Sequence, residues 1–160
     1  MDLTHTESVR SDLSTGSASL AHSDRPSEPR RSSEPDAKTL RIRAEEGLRA
    51  ALESTITGRD DEACPSVLAE AMEHALLSGG GRLRPMLCLA VAEAFGDPRP
   101  ALSAAAASAV ELIHCASLVH DDLPCFDDAE LRRGVPTVHK RFGEATAVLV
   151  GDALIVHAFE

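Results

Sequence analysis

Four carboxylates fall within eight residues, at Asp121, Asp122, Asp127 and Asp128, in the run His120-Asp121-Asp122-Leu123-Pro124-Cys125-Phe126-Asp127-Asp128. Like charges crowded this closely are costly unless a cation stands among them. Hard divalent ions take oxygen ligands, and Mg²⁺ is commonly held by one or two carboxylates together with substrate phosphates. The run therefore reads as a Mg²⁺ site or as a solvated acidic turn, and charge counting alone leaves the two level. An EF-hand does not fit, because the D-x-[DN]-x-[DN]-G spacing is absent.

The neighbourhood adds phosphate chemistry. Leu131-Arg132-Arg133-Gly134 follows the acids, and guanidinium groups clamp phosphate oxygens in pairs. Arginines beside metal-binding carboxylates suit a diphosphate; the other reading is plain neutralisation of the acids. Upstream, Gly79-Gly80-Gly81-Arg82-Leu83-Arg84-Pro85 offers backbone amides and two more guanidiniums. A glycine run also ends helices. It is not a P-loop, since no Gly-Lys-Ser/Thr follows.

Helices must position these groups. Leu40, Leu48, Ala51 and Leu52 mark a first helix ending near Gly58. Pro65, Val67, Leu68, Ala71, Met72, Ala75 and Leu76 mark a second, stopped by the three glycines. A third runs from about Pro85 to Phe95. A fourth, long helix spans about Pro100 to Asp122, with Leu102, Ala105, Ala109, Leu112, Ile113 and Ala116 at three- and four-residue steps. Residues 123–142 read as loop, punctuated by Pro124, Gly134 and Pro136. A last helix begins near Gly143 and is still apolar at Leu154, Ile155, Val156, Ala158 and Phe159, so it is expected to be cut by the end of the sequence. Period-2 alternation is absent, which gives an all-α fold class. Residues 1–36 are rich in Ser, Pro and charge, too poor in large apolar side chains to offset ordering entropy, and read as a disordered tail ahead of a helical portion over 37–160.

Composition sets outer bounds. A net charge of −10 argues against a general nucleic-acid binder, but not against a phosphorylated metabolite, because metal ions invert the local sign. Aromatic residues make up 2% of the chain, with no Trp or Tyr, so the core must be Leu, Ala, Val and Ile. Cys64, Cys88, Cys115 and Cys125 have neither CxxC nor disulfide-framework spacing and read as reduced thiols of a cytoplasmic protein. No unbroken run of about 18 apolar residues is present, so no transmembrane segment is expected.

Together these pieces resemble the trans-prenyl diphosphate synthases. The first aspartate-rich motif of that family, in its longer form, is similar to Asp121-Asp122-Leu123-Pro124-Cys125-Phe126-Asp127. The preceding helix resembles Glu111-Leu112-Ile113-His114-Cys115-Ala116-Ser117-Leu118-Val119-His120. The stretch Asp128 to Lys140, then Phe142-Gly143-Glu144-Ala145 and Gly151-Asp152-Ala153-Leu154, continues the likeness. It is nearly continuous from about residue 79 to 160, and is nearest to geranylgeranyl diphosphate synthases of bacterial carotenoid pathways.

The resemblance implies an all-α prenyl-synthase bundle and condensation of isopentenyl diphosphate with an allylic diphosphate, in the complete protein as a homodimer. It implies that Asp121 and Asp127 hold Mg²⁺ with Asp122 in support, and that Arg132 grips the allylic diphosphate. It assigns isopentenyl diphosphate to Arg84, His114 and Arg133. Most of the family carries Lys where this chain has Gly81, leaving Arg82 to compensate. A bulky aromatic shortly before the first aspartate limits product length in the family; Ala116 and Ser117 leave that space open, which implies a C20 product. The family's second aspartate-rich motif does not occur in these residues. The expectation is thus a synthase fragment, truncated after the helix that follows the first motif and weak or inactive alone. The alternative is a non-catalytic small subunit that modulates a complete synthase.

Overall fold

The computed structural model describes residues 36–57 and 64–160. Apart from Asp36, the segment read as a disordered tail lies outside them. The elements in chain order are α1 (Ala37–Thr57), α2 (Ser66–Leu77), α3 (Leu83–Ala94), α4 (Pro100–Asp121), β1 (Leu131–Arg132), β2 (Val135–Pro136), α5 (Val138–Phe142) and α6 (Glu144–His157).

Local chemistry sets the helix ends. The Asp36 carboxylate accepts the amide of Thr39 at 2.7 Å, satisfying one of the free donors of α1. Pro100 opens α4, where its missing N–H costs nothing. Between α2 and α3 the chain turns through Gly79 and Gly80, both at positive φ, and through Arg82 at φ 52°.

Helix α4 is central and packs against α1, α3 and α6, while α2 leans on α6 and α5. The main core gathers Leu48 and Leu52 of α1, Met72 and Leu76 of α2, Leu112 and Val119 of α4, and Val150 and Leu154 of α6. A second cluster joins Leu40, Ala44, Leu89 and Ala107. Helix α4 is long and apolar enough on average to span a bilayer, although Ser103, Ser108, Glu111, His114 and Ser117 interrupt its apolar runs. It holds buried Glu111, which pairs with Arg82, and it packs against α1, α3 and α6.

Three details differ from the sequence reading. The loop-like stretch 123–142 contains α5 and an antiparallel pair, Leu131 opposite Pro136 and Arg132 opposite Val135. Both turn residues, Arg133 and Gly134, have positive φ, the signature of the hairpin turn that matches strand twist. Helix α6 closes at His157, where the amide of Ala158 bonds back to Leu154 and Ile155 and tightens the last turn, so it does not run through residue 160.

Helix α6 comes close to α4 at Gly151, which is buried; a Cβ there would fall within the imidazole of His120. Gly151→Val is therefore expected to destabilise the fold by about 2–3 kcal/mol, because overpacking outweighs the gain in helix propensity. Urea denaturation checks this, and an unchanged midpoint would mean that His120 swings aside freely.

Candidate functional site

Backbone hydrogen bonds fold the acidic run back onto the end of α4. Asp127 donates its amide to the carbonyl of Asp121 at 2.9 Å, and Ala129 donates to Asp122 at 3.2 Å. The two residues expected to carry the metal, Asp121 and Asp127, thus lie beside each other, both exposed. Asp122 turns the other way. It is buried, and its two oxygens accept a forked pair of bonds from Arg132, Nε at 2.8 Å and Nη2 at 2.7 Å. This pair and the nearby charges of Asp121 and Asp127 hold the Arg132 guanidinium still more firmly protonated.

The cationic residues gather on the same side. Arg133 donates to the carbonyl of Gly79, and its guanidinium lies where a Cβ on Gly80 would stand. Gly80 is thus required both for its φ of 124° and for this approach. His114 is half-buried on α4. Burial and then the charge of Arg84 hold its imidazole below the ordinary 6.5, with Glu111 pulling the other way and Arg133 and Arg132 adding to the depression. The charges of Arg84, Arg132 and Arg133 thus all act on His114, and those of Asp121 and Asp127 act on Arg132.

A polyanion bound there would offset the arginine charges and let His114 take up a proton. Because the His114 value is depressed, less of its imidazole is protonated in the unbound protein at mildly acid pH than in a free histidine. Pyrophosphate binding near pH 6 is thus expected to take up a fraction of a proton more than binding by the His114→Gln variant. Titration calorimetry in two buffers of unequal ionisation enthalpy measures the difference, and equal uptake would remove His114 from the site.

Two expected site residues are placed elsewhere. Arg82 does not reach the open side. Its side chain is 4% exposed and bonds to Glu111 at 2.9 Å and to the carbonyl of Leu76. Ala116 does not border open space; it is 1% exposed within the main core, whereas Ser117 one residue on is exposed. Gly81 is exposed, and a Cβ there would meet only Leu83 at 3.6 Å, so a longer side chain fits that position.

Other contributors went unassigned in the sequence reading. Thr137 donates its hydroxyl to the carbonyl of Ala129 at 2.7 Å and accepts from Nδ1 of buried His139 at 3.1 Å. His139 Nε2, without a hydrogen bond, faces Asp128 at 3.5 Å, and Lys140 bonds the same carboxylate at 3.0 Å. This group fixes the far end of the acidic loop to α5. His74 reaches the carbonyl of Pro136 at 2.7 Å and ties α2 to β2. The clustering of Thr137, His139 and Lys140 just after the arginines was the available signal.

The donor set tests the fit to Mg²⁺. Asp121 and Asp127 offer hard, exposed oxygens free of ion pairs among the described residues. Among those residues no three metal-binding side chains converge. Two carboxylates completed by ligand phosphates and water is the arrangement Mg²⁺ favours, and the residues fit it.

Comparison with known proteins gives one family. The polyprenyl synthetase family model matches residues 65–160. The chain is 59% identical over 116 residues to a geranylgeranyl diphosphate synthase of Cereibacter sphaeroides, covering 72% of this chain and 40% of that protein. It is 52% identical over 126 residues to the chloroplastic geranylgeranyl pyrophosphate synthase 11 of Arabidopsis thaliana, covering 78% of this chain and 34% of that one. Among solved structures, a geranyltransferase from Legionella pneumophila matches with a TM-score of 0.66 at 38% identity, over 76% of this chain and 40% of that one. An FPP/GFPP synthase from Zymomonas mobilis matches with a TM-score of 0.66 at 42% identity, over 77% and 43%. The chain spans less than half the length of each.

Proposed function

Since the chain belongs to the polyprenyl synthetase family, we propose that it carries a Mg²⁺–diphosphate site for condensing isopentenyl diphosphate with an allylic diphosphate, the product being geranylgeranyl diphosphate. The observation that supports this reading is the backbone bond that folds Asp127 back beside Asp121, next to the fork between Asp122 and Arg132. The helical portion from Ala37 onward is the N-terminal part of the synthase domain, and the complete protein is a cytoplasmic homodimer.

In this reading Asp121 and Asp127 would hold Mg²⁺, which would supply charge neutralisation to the diphosphate. Asp122 fixes the Arg132 fork, leaving the rest of that guanidinium to the allylic diphosphate. Arg84, His114 and Arg133 bind the diphosphate of isopentenyl diphosphate. The allylic carbon–oxygen bond breaks with its electron pair leaving on the diphosphate. The double bond of isopentenyl diphosphate attacks the resulting cation, and a proton is lost. The contribution of these residues is charge stabilisation set in place before the bond breaks. Ser117, on the exposed face one helical turn before Asp121, takes the product-length role that buried Ala116 does not.

Because the chain spans 40% of the Cereibacter relative, binding is the direct test. Calorimetric titration of the 160-residue chain with inorganic pyrophosphate is expected to show binding that Mg²⁺ tightens and that becomes much weaker, but still measurable, in EDTA. No Mg²⁺-dependent binding would sink the reading.

A further inference from the structure

We propose that the buried Arg82–Glu111 ion pair is a positioning device that sets the triglycine loop, Arg84 and Arg133 for the bound anion, an inference that rests on the diphosphate reading above. The two side chains are 4% and 3% exposed and meet at 2.9 Å. Arg82 therefore cannot itself touch a ligand at the surface, although Arg84 follows it by two residues.

Three unfavourable features meet at Arg82. Its backbone is left-handed without being glycine. Its Nε is buried with no hydrogen-bond partner. A buried ion pair, moreover, is often no more stable than apolar residues of similar size. Stability alone gives little reason for the arrangement.

What the pair accomplishes is a three-way tie. One Arg82 nitrogen caps the carbonyl of Leu76 in the last turn of α2, and another holds Glu111 on α4. The Arg82 backbone begins α3. The guanidinium thus brackets Gly79, Gly80 and Gly81, which have no side chains to anchor themselves. Arg133 donates to Gly79 and lies against Gly80, so the loop sets its place. Arg84 is two residues into the helix that Arg82 starts, and His114 is one turn beyond Glu111. A shift of the loop would move Arg84 and Arg133 away from His114.

The test is the charge-neutral double variant Arg82→Met/Glu111→Leu, read by melting, pyrophosphate titration in Mg²⁺ and amide hydrogen exchange. The expected result is a melting midpoint close to that of the parent, pyrophosphate affinity at least tenfold weaker, and exchange at residues 79–84 at least tenfold faster with α4 unchanged. Parent-like affinity and exchange in the double variant would overturn the proposal. If the parent itself binds no pyrophosphate, the diphosphate reading fails first, and the exchange at 79–84 still decides whether the pair holds the loop. Should the double variant not fold, Glu111→Gln retains length and one acceptor while removing the charge. Faster exchange confined to residues 79–84 is then expected, and unchanged exchange overturns the proposal.

Discussion

Asp121→Ala and Asp127→Ala are each expected to weaken Mg²⁺-dependent pyrophosphate binding by about a hundredfold or more, the scale on which a preorganised electrostatic contact acts in a site of this kind. The sign should reverse without the metal. With Mg²⁺ removed, both carboxylates face an anion of their own charge, and deleting one relieves repulsion. In EDTA the variants should therefore bind pyrophosphate as well as the parent, or slightly better. The fold should be unaffected, since both residues are exposed and neither makes a side-chain ion pair among the described residues. Calorimetry in Mg²⁺ and in EDTA, with a urea curve for each variant, gives the pattern. A variant weakened equally in both conditions would mean that the aspartate supports structure rather than the metal. A variant weakened in neither would leave the solvated acidic turn as the reading.

Helices α1 to α4 were legible because each is long enough to show its period, and α6 because it is apolar on every face. Helix α4 repeats its apolar positions over 22 residues, and its C-terminal half shows the stripe that meets α6. The hairpin was not legible, because two-residue strands have no alternation to read. Helix α5 has five residues, fewer than two turns, and shows no stripe either.

Within the site, residue types were easier to read than directions. Asp121 and Asp122 are adjacent at the end of a helix, so their side chains must diverge by roughly 100°. Sequence shows that one must turn away from the other, but only the packing of the hairpin shows that Asp122 is the buried one. The same holds for Ala116 and Ser117, where the core takes the first and leaves the second outside. Arg82 was misplaced for a longer-range reason. Beside three glycines a guanidinium looks exposed, and what buries it is Glu111, 29 residues later in the chain. A lone carboxylate between apolar neighbours on α4, one turn before a histidine, was the signal that a buried cation had to be found for it.

Asp122 separates structure from chemistry most sharply, because it stands beside Asp121 yet should fail differently when changed. Asp122→Ala leaves Arg132 without either of its two forked bonds. Breaking a fully buried pair costs about 3–5 kcal/mol. The Asp122 carboxylate is 4% exposed but the Arg132 side chain is 34% exposed, so water recovers part of the loss, and about 2–3 kcal/mol is expected. Asp122→Asn keeps the shape and one acceptor and should lose about half as much. Mg²⁺-dependent pyrophosphate binding should fall in both variants, but less than in Asp121→Ala, since the metal's own carboxylates remain and only the aim of Arg132 is lost. Urea denaturation and calorimetry on the same samples test the ordering. A variant of Asp122 that unfolds at the parent's midpoint while losing binding as fully as Asp121→Ala would place Asp122 on the metal, and the fork to Arg132 would then be a contact that opens when the ion binds.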